Sequence, residues 1–322
     1  MRAQSGAAFV VCFFDSLPIA AKQMTQATNI RKHVNNARKA TRYYMLRVSR
    51  EWRELTSSKR MLPQFIVAGA PKCGTTALYQ YLLSHPQVLA PVPSSYEVGY
   101  FSEEYRRDLN WYRAWFPLSM TAAWRSKHAG GKAVVTCEHT PFYVMHPLAA
   151  ERIAVTLPGV KIIILLRNPV DRAFSHYQHE FRSGQEPLSF REAIAMESQR
   201  TAGEVARMQS ELDYLSPEYG RHAYVDQGEY LPKIERFFNQ IDHNDIMIVQ
   251  SERLFLQTQE VFDEVVEFLH LDPFKLKNVK PVNAGAYKPL DKTDPELAHE
   301  LRNHFQSHNE SLYSYLGTDF GW

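Results

Sequence analysis

The stretch FIVAGAPKCGTTALYQYLLSHPQV, residues 65–88, decides the fold. Phe65–Gly69 is an uncharged apolar run ending in glycine, which predicts a buried strand closed by a turn. From Thr75 onward, Leu78 and Leu82 with Tyr81 and Leu83 recur at helical spacing. A strand, a glycine-bearing turn and a helix opening on Thr-Thr together make an anion cradle. The free N–H groups of the first helical turn face the ligand, and the helix dipole adds partial positive charge. An ordinary phosphate loop runs G-x-x-x-x-G-K-[ST], with lysine directly after the second glycine. Here Gly69 and Gly74 keep the spacing, but Thr75 and Thr76 follow and Lys72 sits inside the turn. Lys72 then supplies a full charge, and the two threonine hydroxyls add donors. The loop suits a phosphate-bearing ligand of a different kind from an ordinary nucleoside triphosphate.

Outward from this stretch, short apolar runs alternate with helical patterns. QVLAP, KAVVTCE (Lys132–Glu138), VKIIILLR (Val160–Arg167) and DIMIVQ read as further strands. The third is apolar enough to be central. Helices are predicted from Pro169 to about Arg182, around Phe190–Arg200, over YLPKIERFFNQI and QTQEVFDEVVEFLHL, and at the end of the chain. In the last of these, Asp294 is a plausible N-cap, Pro295 fits the first helical position and Gly317 is a stop. Residues 201–228 are polar and weakly patterned, and are expected to form a surface excursion. The expected architecture is α/β: one domain over residues 61–322, with a central parallel sheet flanked by helices, of phosphate-loop nucleotide-binding type.

A second motif lies in ILLRNPVDRAFSHY, Ile164–Tyr177. Arg167 ends a buried strand, where open α/β sheets place their ligands. Ser175 follows eight residues later, about two turns into the next helix. An arginine grips a phosphate through paired hydrogen bonds, and a serine hydroxyl completes the set. Beside the first loop, this reads as a second phosphate site.

Composition bounds the rest. Hydrophobic residues make up 44% and aromatics 12% of 322 residues, enough for a real core. Cys12, Cys73 and Cys137 are widely spaced and odd in number. They form no disulfide framework and no metal-binding cluster, so a reducing, cytoplasmic setting is expected and no metal. The alternative is a secretory route, with Gly6–Phe14 as the apolar centre of a signal. On another reading Met24 is the natural start. Residues 1–60 form a basic extension, twelve Lys/Arg against three Asp/Glu, while the remainder carries a net −7. Within the extension, residues 28–55 read as a solvated helix or as an amphipathic one giving weak membrane-surface contact. No reader motif for nucleic acid accompanies the charge, and no run is long and apolar enough to span a bilayer.

The two motifs, 95 residues apart from Lys72 to Arg167, resemble those of sulfotransferases that use 3′-phosphoadenosine 5′-phosphosulfate (PAPS). PKCGTTAL is similar to their 5′-phosphosulfate loop and LRNPVDRAFSHY to their 3′-phosphate motif. The ending YLGTDFGW resembles the branch containing heparan-sulfate-type enzymes and bacterial relatives. The likeness covers about Leu62 to Trp322. It implies that Lys72, Gly74, Thr75 and Thr76 hold the 5′-phosphosulfate and that Arg167 and Ser175 hold the 3′-phosphate. Cys73 is implied to offer its backbone N–H, and no metal is required.

The same resemblance implies a base. In the related branch it is a glutamate in a string like K-E-x-x-F-F, and SSYEVGYFS puts Glu97 there, with Tyr96 replacing the lysine and Gly99 a polar residue. A solvated loop carboxylate is the competing reading of Glu97. In CEHTPFYVMHP, His139 replaces a lysine of the family string V-E-K-[ST]-x-x-Y. It reads equally as a proton acceptor, a donor to the sulfonate, or a histidine satisfied at a strand end. Glu138 stands beside it to orient it or to touch the acceptor. Near the end, PVNAGAYKPLD departs from the family's K-G-R-x-[HY]-P loop. Aligned on Tyr287, Asn283 and Gly285 replace its two cations, which leaves Lys280 and Lys288 as substitutes and Gly285 and Tyr287 as nucleotide contacts. The expected activity is sulfuryl transfer from PAPS to a hydroxyl or amine of a carbohydrate or small-molecule acceptor. The alternatives are a phosphate-loop kinase and a non-catalytic nucleotide-binding module.

Overall fold

The computed structural model describes residues 52–94, 97–277 and 288–322. The chain divides after Leu55, and Thr56–Trp322 forms one compact unit that holds every element named below. The expectations for the basic extension therefore fall almost wholly outside the described residues, as do those for Tyr96, Lys280, Asn283, Gly285 and Tyr287.

Five strands form one parallel sheet: β1 (Phe65–Gly69), β2 (Val88–Leu89), β3 (Val135–His139), β4 (Lys161–Leu166) and β5 (Ile246–Gln250), in the order β2-β3-β1-β4-β5. Every residue of β1 is buried, and so are Ile162–Leu166 of β4. That is why both runs lack the alternation of a half-exposed strand. Burying each large side chain of β4 contributes about 1.5–3 kcal/mol. The flanking helices used below are α1 (Thr75–Ser84), α2 (Ala149–Thr156), α3 (Pro169–Ser183), α4 (Leu231–Phe238), α5 (Thr258–Phe268) and α6 (Pro295–Leu316).

The topology sets the site. The chain leaves β1 toward β2 on one side of the sheet and leaves β4 toward β5 on the other. β1 and β4 are hydrogen-bonded neighbours, so their C-terminal ends flank a switch-point crevice, where such sheets bind ligands.

The helix boundaries follow local chemistry. In α3, Asn168 caps the N-terminus by accepting from Val170 and Asp171, and Pro169 takes the first position. In α6, Asp294 accepts from Leu297 at 3.0 Å and Gly317 closes the helix at φ 65°.

The segment 201–228 corrects the sequence reading. It is not a surface excursion but two short helices, Glu204–Ser210 and Pro217–His222, with Met208, Tyr219, Ala223 and Tyr224 buried. Its polarity misled because Glu204 is turned inward, accepting from Tyr214 OH (2.6 Å) and Ser216 Oγ, and because acids just before the segment pack against it. Glu197 takes the N–H groups of Val225 (2.8 Å) and Asp226 (2.8 Å), and Glu186 pairs with Arg200 at 2.6 Å. A carboxylate that caps buried backbone lies in the core despite its hydropathy.

Candidate active site

The turn between β1 and α1 is stitched from below. Ala70 N–H donates to Leu165 O (2.8 Å), and Ser251 Oγ donates to Cys73 O (2.8 Å). Lys72 takes a left-handed backbone at φ 70°, and Gly74 follows at φ 86°. A left-handed lysine costs roughly 1–2 kcal/mol, and the surrounding bonds hold it there. At Gly74 any side chain is strained by φ alone, and its Cβ would also sit 2.8 Å from the Phe255 ring. α1 then begins on Thr75 with no side-chain cap. No acceptor among the described residues takes the N–H of Thr75 or Thr76. The donors of the first helical turn therefore stay available to an anion.

Cys73 N–H, unlike those of Thr75 and Thr76, has a partner inside the turn, donating to Ala70 O at 3.2 Å. The thiol is fully buried beside Tyr230, and burial pushes it up to about 11, which makes it inert rather than nucleophilic.

The second motif meets the first. Arg167 lies just past the end of β4, and its Nη1 donates to the Lys72 carbonyl at 3.4 Å. Tyr230 OH donates to Arg167 O at 2.8 Å and lies 3.8 Å from Cys73 Sγ, so one tyrosine braces both turns. Ser175 is half-buried in the second turn of α3. Arg172, one turn earlier, is not a ligand group. It is fully buried and donates to Gln227 Oε1 (3.1 Å) and the carbonyls of Ala223 and Tyr224.

The Lys72 ammonium has no hydrogen-bond or ion-pair partner among the described residues. Burial pushes it down to about 8. Glu180 opposes that shift, the Arg172 and Arg182 charges add to it, and Glu97 opposes it. Glu97 is therefore within electrostatic reach of the turn. Glu97 is exposed to solvent, yet protein atoms crowd its carboxyl. Burial, followed by the charge of Glu103, raises its carboxyl above the usual range, with Lys72 acting in the opposite sense. A raised carboxylate is a better proton acceptor near neutral pH.

The loop carrying Glu97 hangs on a buried network that sequence reading did not find. Glu138 is fully buried and accepts from Tyr112 OH, Tyr143 OH and Thr140 Oγ1 (3.0 Å). Gly99 N–H in turn donates to Thr140 Oγ1 (3.4 Å), and Phe101 N–H donates to Tyr143 OH (3.3 Å). Arg152 closes the loop by donating to Phe101 O (3.0 Å) and Ser102 O (3.3 Å). Glu138 thus reaches the backbone two and four residues beyond Glu97 through two hydroxyls. Burial pushes its own carboxyl up to about 7, against the three hydroxyls that lower it. Glycine suits position 99 because of its left-handed backbone. Its φ is 66°, and a Cβ would lie 2.5 Å from Glu103 Oε1.

His139 ends β3 and is 7% exposed, stacked on Tyr79 at 4.8 Å and 13°. Its Nε2 is buried without a partner, and burial pushes it down to about 4, so the ring is neutral. The aromatics Tyr100, Trp111 and Tyr112 are core residues that stack on one another. The sequence reading also passed over His179 and Glu180 on α3. Both couple electrostatically to Lys72. The available signal was helical spacing, since residues 175 and 179 share a face.

Comparison with known proteins follows the same lines. The family model described as "Sulfotransferase domain" matches residues 62–310. The membrane-associated sulfotransferase kil1 of Dictyostelium discoideum is 26% identical over 332 residues, covering 81% of this chain and 66% of its own length. The bifunctional heparan sulfate N-deacetylase/N-sulfotransferase 3 of Homo sapiens is 33% identical over 220 residues, covering 66% of this chain. The chain spans only 23% of the length of that relative. The crystal structure of a sulfotransferase from Alicyclobacillus acidocaldarius superposes with a TM-score of 0.59 at 26% identity, covering 81% of this chain and 98% of that one. No helix among the described residues is long and apolar enough to cross a membrane.

Proposed function

Because this chain belongs to the sulfotransferase domain family, we propose that it moves a sulfuryl group from PAPS to a hydroxyl or amine of a carbohydrate or small-molecule acceptor. The observation that carries this reading is the Arg167–Lys72 contact. It brings two anion-binding motifs, 95 residues apart in sequence, to the two sides of one crevice. The residues fit a doubly phosphorylated nucleotide. Among the described residues, an ammonium without a partner, two uncapped N–H groups and two threonine hydroxyls are available to one anion, and a guanidinium with a half-buried serine is available to the other.

In this reading Lys72, Gly74, Thr75 and Thr76 hold the 5′-phosphosulfate, and Arg167 with Ser175 holds the 3′-phosphate. When bound, the donor supplies an activated sulfuryl group on a phosphate leaving oxygen. Lys72 and the α1 N-terminus neutralise the charge that builds on that oxygen. Glu97 takes the acceptor's proton as its oxygen or nitrogen bonds to sulfur. The Glu138 network fixes the Glu97 loop, so the carboxylate meets the acceptor without searching for its position. His139, neutral and stacked, serves as a wall of the site and not as its base.

A phosphate-loop kinase shares the cradle but needs lysine after the second glycine, with a metal-holding aspartate. Isothermal calorimetry separates the two. Adenosine 3′,5′-bisphosphate (PAP) is expected to bind tightly, and ATP with Mg²⁺ at least about tenfold more weakly, since ATP offers nothing to the Arg167–Ser175 pair. Equal or stronger binding of ATP with Mg²⁺ would overturn the assignment of the donor.

A further inference from the structure

We propose that Glu229, His304 and His308 form a three-ligand site for a divalent transition-metal ion of the zinc class, with the fourth position open to water. His304 and His308 are one turn apart on α6, and Glu229 faces them from the turn before α4. Glu229 Oε1 lies 3.0 Å from His304 Nε2 and 3.7 Å from His308 Nε2. The three ligand atoms all lie within 4.8 Å of one another. Tetrahedral zinc with bonds of about 2.0–2.1 Å separates its ligands by about 3.3 Å. The two observed separations bracket that value.

The spacing is set by the backbone around the site, independently of the glutamate–histidine hydrogen bond. Phe305, between the two histidines, is buried against Gly228, where a Cβ would lie 2.9 Å from its ring. The Glu229 turn is pinned a second time by Lys233 Nζ, which donates to the carbonyls of Asp226 (2.7 Å) and Glu229 (3.1 Å). Helix and turn are thus held in register before any ion arrives, which is what a preorganised site needs. Two imidazoles and one carboxylate select zinc-like ions over magnesium or calcium, which prefer all-oxygen shells. The sequence reading expected no metal on the strength of the cysteine count, but that count bears on thiolate ligands alone and says nothing of a histidine–carboxylate set. Glu229 and His304 also line a cavity of about 760 Å³, which puts open space beside two of the three ligands.

The chemistry at the donor crevice does not pass through this ion. Glu229 precedes Tyr230, the residue that braces Arg167 and the Lys72 turn. An ion here would therefore staple α6 to the segment beneath the donor site and act on stability.

The test uses the full chain, stripped of metal by a chelator and titrated calorimetrically with Zn²⁺ and separately with Mg²⁺. One Zn²⁺ per chain is expected at micromolar affinity or tighter, with a raised melting temperature and no saturable response to Mg²⁺. Glu229→Gln is expected to weaken Zn²⁺ binding roughly tenfold or more and the His304→Ala/His308→Ala double variant to abolish it. PAP binding should be unchanged in both. The two histidines are more than a third exposed, and melting without Zn²⁺ reports whether the variants fold. If the wild-type chain shows no saturable Zn²⁺ binding below about 100 μM, or the double variant binds as well as wild type, the site is only a hydrogen-bonded cluster and the proposal fails. Loss of PAP binding would instead strike the donor assignment and leave the zinc result standing.

Discussion

Lys72→Ala is expected to lower sulfuryl transfer by about 10²–10³-fold, the loss typical when one preorganised donor is removed from a developing anion. Alanine has the same left-handed strain at φ 70° as lysine, so the loss reports the ammonium and not the backbone. The pH dependence provides a second signature. Burial depresses Lys72 to about 8 in the free chain, so its ammonium is present below that pH and lost as pH rises through it. Affinity for PAP is therefore expected to be flat up to about pH 7.5 and then to weaken, approaching tenfold per pH unit. The alanine variant is expected to bind more weakly and to show no inflection near 8. A variant whose turnover stays within a few-fold of wild type would remove Lys72 from the phosphosulfate site.

Glu97→Gln is expected to cost about 10²–10⁴ in turnover while leaving PAP binding within a factor of about three. The amide keeps the shape of the carboxylate, so the loop held by Thr140, Tyr143 and Arg152 keeps its path. Only the ability to take a proton is removed. Because the wild-type carboxyl is raised by burial, the turnover it supports falls as pH drops and Glu97 becomes protonated. That acid limb should be missing from whatever residual activity the variant shows. Near-normal turnover would place the base elsewhere. His139 is a poor substitute at about 4, which would turn attention to His179 and Glu180 on α3, both coupled to Lys72.

What could be read from the sequence divides along physical lines. β1, the turn and α1 were legible because a buried parallel strand must be uncharged and a glycine turn must follow it. β4 and Arg167 were legible for the same reason. The meeting of Arg167 with the Lys72 carbonyl depends on strand order, which residue patterns leave open; sequence could state the two motifs but not that they face each other. The Glu138 network was hidden because its members are polar residues buried as a set, each satisfied by the others. Hydropathy assigns such groups to the surface. The same inversion hid the core role of residues 201–228, where Glu197 caps backbone N–H groups from the inside. Gly99 shows the reverse: as a departure from the family string it suggested a lost polar contact. Its positive φ gives the glycine a structural role in the loop that carries Glu97.

The central claim is that two anion pockets at adjacent strand ends hold the two ends of one nucleotide. A crystal structure of the chain with PAP tests it most directly. The expected result is a 5′-phosphate within about 3 Å of Lys72 Nζ and the N–H groups of Thr75 and Thr76, with the 3′-phosphate on Arg167 and Ser175. A nucleotide bound elsewhere, or seated with the Lys72 turn unfilled and Arg167 directed away from it, would contradict the claim.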